Sequence, residues 1–162
     1  MNMRRTLGFI LIWIWAYSAQ AASPAPRPFV PGSMKEVASA HAGKPFILAF
    51  WSLSCIYCKA NLEQLGKLLE EYPQLPLVLV STDTVEESAA IAAVLDKYGL
   101  GQAQSWVFAD SFVERLHFEI DRRWRGELPH TYFYGATHQA RVVSGKLDEA
   151  ETVNWIKREV VR

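Results

Sequence analysis

The chain has 162 residues, half of them hydrophobic, enough for one well-packed domain and too few for two sizeable ones. Its 17 basic and 17 acidic residues balance, and neither sign gathers into a patch or block, which removes the electrostatic footprint of a nucleic-acid-binding protein. No internal repeat or long low-complexity tract is present.

The first 21 residues read as a secretory signal peptide. Arg4 and Arg5 supply a positive start, Leu7 to Tyr17 (LGFILIWIWAY) is an apolar run, and Ala19-Gln20-Ala21 is an A-x-A cleavage signal, with the cut expected after Ala21. The run is shorter than the ~20 apolar residues a spanning helix needs. Membrane contact is therefore expected only through this segment, if it is left uncleaved. Residues 22–32 (ASPAPRPFVPG) carry four prolines and read as a linker that does not pair into a sheet. The folded domain is expected over residues 33–162.

Met34 to Ala42 fits a short helix. Pro45 to Trp51 (PFILAFW) lacks polar alternation, as a central strand covered on both faces would. A serine-rich turn and both cysteines of the chain, Cys55 and Cys58, follow directly. From there Cys58, Leu62, Leu65, Leu69 and Tyr72 recur at helical spacing. This places Cys58 on the inward stripe of a helix, and Cys55 one turn earlier, where backbone N–H groups are unpaired.

The two sulfurs are thus inequivalent, one exposed and one sheltered. A helix start favours a thiolate at Cys55, and Lys59 adds positive potential nearby. Cys55 is the expected nucleophile and Cys58 the resolving thiol. A bridge between them closes too small a loop to stabilise the fold by restricting the unfolded chain. Its expected use is redox exchange.

Pro76 to Val80 (PLVLV) reads as a second buried strand, Glu86 to Tyr98 as a helix closed by Gly99, and Ser105 to Ala109 as a third strand. Ser111 to Trp124 is a helix of mixed charge. Thr131 to Tyr134 and Arg141 to Ser144 flank GATHQA, a β-hairpin pattern. Asp148 to Val161 is the closing helix, with Asp148 as its N-cap. Strands alternating with helices, then a hairpin and a helix, predict an α/β sandwich with a mixed sheet.

FILAFWSLSCIYCKANLEQL resembles the active-site strand and helix of the thioredoxin superfamily, and of its TlpA-like thiol–disulfide oxidoreductases in particular. RGELPHTYFYGATHQARVVSGKL is similar to that family's proline turn and hairpin. The resemblance runs from Gly43 to Arg162. It implies a three-layer thioredoxin-like sandwich with a TlpA-type inserted strand and helix. It further implies a redox-active Cys55–Cys58 disulfide, no cofactor, and a cis Leu128–Pro129 bond offering the backbone of Leu128 to a substrate peptide. Trp51, Tyr57, Leu128 and Pro129 are the expected substrate-binding residues. Relatives of this kind are mostly periplasmic reductants, recharged by a membrane thiol transporter and acting on exported protein thiols and disulfides, such as those of apocytochrome c or copper-site proteins.

The chain departs from the family pattern at four places. Ser54 stands where a tryptophan is frequent and Tyr57 where a proline is. Ala49 and Asn61 occupy positions where relatives carry acids that accept the proton of the sheltered thiol. Glu127 is the nearest sequence candidate for that proton, although an exposed loop carboxylate is the simpler reading. His130 opens a second reading, a copper metallochaperone binding through Cys55, Cys58 and His130, but copper carriers of this superfamily use C-x-x-x-C. Without a metal, His130 is expected to face solvent and to bias the thiolate. A third reading is a non-catalytic binding module with a locked disulfide. The uncharged Ile56-Tyr57 pair encodes no strong thiolate stabilisation, which favours a reductant.

Overall fold

The computed structural model describes residues 23–161; the expected signal peptide and its cleavage point lie outside them. Six strands form one mixed sheet in the order β1-β4-β3-β2-β5-β6. The strands are β1 (Arg27–Phe29), β2 (Phe46–Trp51), β3 (Leu77–Ser81), β4 (Gln104–Phe108), β5 (His130–Tyr134) and β6 (Ala140–Ser144). The first four are mutually parallel, β5 is antiparallel to β2, and β6 to β5. Among the described residues no helix is long and apolar enough to cross a membrane.

Crossover handedness sets the layers. From β2 the chain steps outward to β3 through α2 (Ile56–Glu71), then to β4 through α3 (Ser88–Lys97). Right-handed crossovers in one direction place both helices on the same face. The step from β1 to β2 runs the opposite way, so α1 (Ser33–Ala40) covers the other face. Two cores result. Leu62, Leu65, Ile91 and Leu95 pack with Ile47, Leu79 and Phe133 on the first face, joined by Trp155 and Ile156 of α5 (Glu149–Glu159). Val37, together with Leu116 of α4 (Val113–Ile120), packs with Leu48, Phe50, Val80 and Tyr132 on the second.

Most expected elements stand within a few residues of their predicted limits. β2 is buried at every position, as its apolar run requires. Asp148 caps α5 by accepting a hydrogen bond from the Glu151 N–H at 2.8 Å. Between β3 and Pro129 stand α3, β4 and α4, so the extra strand and helix are present. The expected helix through Trp124 ends instead at Ile120. Asp121 turns the chain by accepting the Arg123 N–H, and Trp124 folds onto Phe50, with ring centroids 4.8 Å apart.

One reading is overturned. The proline-rich segment is not wholly a linker, because Arg27, Pro28 and Phe29 align with Trp106, Val107 and Phe108 as a parallel edge strand. Proline is tolerated there because an outermost strand can turn its missing N–H away from the ladder. Phe29 is fully buried against Phe50, Trp106 and Phe108.

Candidate active site

The apolar β2 ends at Trp51, and the chain turns through Ser52, Leu53 and Ser54 into α2. Cys55 is the N-cap of that helix, in extended backbone geometry, and its Sγ accepts the Cys58 N–H at 3.1 Å. A sulfur in this position meets the unpaired N–H groups and positive end of the helix. Cys55 and Cys58 form a disulfide. Cys55 is half-buried, whereas Cys58 is 1% exposed and shares the first core with Ala49, Trp51 and Leu62. The expected asymmetry is therefore present in the oxidised protein.

The Leu128–Pro129 bond is cis. Leu128 is half-buried and packs against both cores, and Pro129 is buried. The Pro129 carbonyl accepts the Gly145 N–H at 2.8 Å. Asn61 continues this link. Its Nδ2 donates to the Gly145 carbonyl and its Oδ1 accepts the Leu147 N–H, each at 3.0 Å. One turn beyond Cys58, a neutral amide thus ties the active-site helix to the chain behind the cis-proline.

Neither Asn61 nor Ala49 can take a proton from Cys58, and among the described residues no aspartate or glutamate is buried as a whole residue. Glu127 is not a replacement. It is exposed, and its own and Arg125's backbone N–H groups hold its carboxyl below the usual range. The sequence reading of an exposed loop carboxylate stands.

One expectation for the rim is corrected. Trp51 is 2% exposed and belongs to the first core, so it offers no docking surface; an unbroken apolar run cannot reveal which end of a strand stays covered. Tyr57 is on the surface at 76% exposure, next to Ile56 at 78%. Lys59 is exposed on the first turn of α2 and forms no ion pair among the described residues.

His130 is buried rather than solvent-facing, and it lies on the wrong face for the sulfurs. It aligns with Phe50, whose side chain lies in the second core, while Cys58 lies in the first. Successive strand side chains alternate between faces. His130 stacks on Trp124 with centroids 5.1 Å apart, and its Nε2 lies 3.1 Å from the Tyr132 hydroxyl. Burial pushes its pKa down, against weaker opposing effects of Glu127 and Asp121. A neutral ring under the sheet neither completes a Cys-Cys-His site nor biases the thiolate.

One residue escaped the sequence reading. Asp83, just past β3, accepts hydrogen bonds from the Ser52 hydroxyl and the Leu53 N–H, both at 2.8 Å, and from the Ser81 hydroxyl. Ser52 in turn accepts the Ser54 N–H at 3.2 Å. The turn leading into Cys55 is pinned to the neighbouring strand. No local pattern signals this, because about thirty residues separate the partners.

A cleft of about 850 Å³ lies at the opposite end of the sheet, lined by Lys67, Glu70, Leu77, Tyr98 and Gln104 among others. It begins where β3 and β4 start, whereas Cys55 follows the end of β2, which runs parallel to them. The disulfide stands on an open rim.

No family profile and no curated protein matches the sequence. Solved structures do. A secreted disulfide oxidoreductase of Mycobacterium tuberculosis, described as homologous to E. coli DsbE, superposes with a TM-score of 0.58 at 20% identity, covering 74% of this chain and 85% of the other. A thiol:disulfide interchange protein of the thioredoxin family from Chlorobium tepidum gives 0.56 at 15% identity, with coverages of 75% and 83%. The chain has the thioredoxin fold. StoA from Bacillus subtilis shares it, with a TM-score of 0.51, 17% identity and coverages of 70% and 83%. Cys55 and Cys58 follow the end of β2, and Pro129 immediately precedes β5, its antiparallel neighbour, so all three lie toward the same end of the sheet.

Proposed function

We propose that the protein is an exported thiol–disulfide oxidoreductase that reduces disulfides in other periplasmic proteins. The observation that carries this reading is the graded burial of the Cys55–Cys58 disulfide at a helix start, toward the same end of the sheet as a cis-proline. Cys55 attacks a substrate disulfide as thiolate. One substrate sulfur leaves, and a mixed disulfide forms. Cys58 then attacks the Cys55 sulfur, freeing the second substrate thiol and restoring the internal disulfide. A membrane thiol transporter is the proposed donor of the two electrons that reset the pair, and cytochrome c or copper-site maturation is the proposed setting.

A protein substrate is favoured by the rim. Val30, Ile56, Tyr57, Val85 and Phe112 are exposed and follow the ends of β1, β2, β3 and β4, at the end of the sheet that carries Cys55. Apolar side chains spread along an open rim suit a polypeptide better than a small solute. Leu128 and Tyr57 are the proposed docking contacts, with the buried Pro129 fixing the backbone of Leu128 behind them.

The direction of electron flow is tested by equilibrating the pair in thiol–disulfide buffers. A reductant is expected to give a potential near about −270 mV, as thioredoxin does. A value near about −120 mV would reverse the proposed direction, and one below about −300 mV would point to a locked structural disulfide.

A further inference from the structure

Asp83 belongs to neither motif of the site, yet among the described residues it is the side chain outside the turn before Cys55 that hydrogen-bonds to that turn. Its two carboxylate oxygens take up the Ser52 hydroxyl, the Leu53 N–H and the Ser81 hydroxyl, and its own N–H donates to Ser81 Oγ at 3.1 Å. The Cys55 N–H in turn donates to the Ser52 carbonyl at 3.1 Å. A charged group is thus fixed to the backbone two residues before the nucleophile.

We propose that Asp83 is a positioning residue of the redox pair, anchoring the Ser52–Ser54 turn to β3 and placing a fixed negative charge beside Cys55 that holds the couple on the reducing side. The inference rests on the oxidoreductase reading and deepens it. Reduction converts the disulfide, two electrons and one proton into a Cys55 thiolate and a Cys58 thiol. A carboxylate near the forming thiolate opposes its charge and so favours the disulfide. The positive end of α2 and the exposed Lys59 act in the opposite sense. A unit charge about 10 Å from a thiol changes its ionisation by about twofold at the dielectric of bulk water and by about fifteenfold at that of a protein surface.

The test uses two variants that loosen the same turn with opposite electrostatic effect. Asp83→Asn removes the charge. Ser81→Ala removes a hydroxyl whose dipole partly offsets the carboxylate and leaves the charge in place. In the reduced protein, alkylation of Cys55 across pH is expected to show a lower midpoint than wild type in Asp83→Asn and a higher one in Ser81→Ala. The equilibrium with reduced and oxidised glutathione shifts correspondingly, toward the dithiol in Asp83→Asn and toward the disulfide in Ser81→Ala. A tenfold change corresponds to about 30 mV. A purely structural role would move both variants the same way or leave both midpoints unchanged, and either result overturns the inference. Should Asp83→Asn not fold, the upward shift in Ser81→Ala carries the test alone, and a fall or no change there overturns it. A wild-type disulfide that glutathione neither reduces nor re-forms removes the oxidoreductase reading and this inference together. Normal wild-type exchange without opposed shifts removes only the inference.

Discussion

Cys55→Ser is expected to lower turnover of a protein disulfide by about a thousandfold or more, because an alcohol at the helix start supplies no nucleophile comparable to a thiolate at neutral pH. Cys58→Ser should behave differently. Its Cys55 retains the N-cap position and the helix N–H groups, so the first attack proceeds and a substrate sulfur is displaced. The second attack has no thiol to make it, and the protein halts as a covalent adduct. Adducts that withstand denaturant and disappear with dithiothreitol are therefore expected from Cys58→Ser and absent from Cys55→Ser. The burial of Cys58 explains why the order should not reverse, since at 1% exposure an external disulfide cannot reach it. Retained turnover in Cys55→Ser, or adducts accumulating equally in both variants, would contradict these roles.

The largest effect on stability is expected at the edge of the sheet. Phe29→Ala should cost about 3–5 kcal/mol, the range for truncating a large buried aromatic side chain. Phe29 is fully buried, meets Phe50 and Trp106 edge-on with centroids 6.4 and 5.9 Å apart, and stacks on Phe108 at 5.6 Å. Alanine there would leave a cavity between the sheet and its second core. Phe50 links that core to Trp124 and so to the loop carrying Leu128 and Pro129. The variant is thus expected to loosen the site as well as the fold. Urea unfolding monitored by tryptophan fluorescence gives the measurement. A midpoint within error of wild type would return residues 27–29 to the status of a linker.

Phe29 also marks the limit of what the sequence reveals. Four prolines in eleven residues argue against a strand, and only the partner β4, about eighty residues away, makes an edge position available. β2, α2 and the unequal placement of the cysteines were legible because their signals are local: an apolar run, a turn and a helical stripe. The cis-proline came from resemblance, since composition cannot distinguish a cis from a trans proline. His130 was misread because its face is set by alignment with Phe50, a long-range fact. The hold of Asp83 on the turn was invisible for the same reason. Asn61 reads as a missing acid in the sequence and as a two-way hydrogen-bonded clamp in the fold.

The central claim is that one sulfur is reactive and accessible while its neighbour is shielded. Alkylation of the reduced protein, followed across pH with each cysteine quantified separately by mass spectrometry, tests it directly. The account predicts fast labelling of Cys55 with a midpoint below the about 8.5 of a free thiol, and labelling of Cys58 slower by an order of magnitude or more. Equal rates at both cysteines, with an ordinary thiol midpoint, would contradict it.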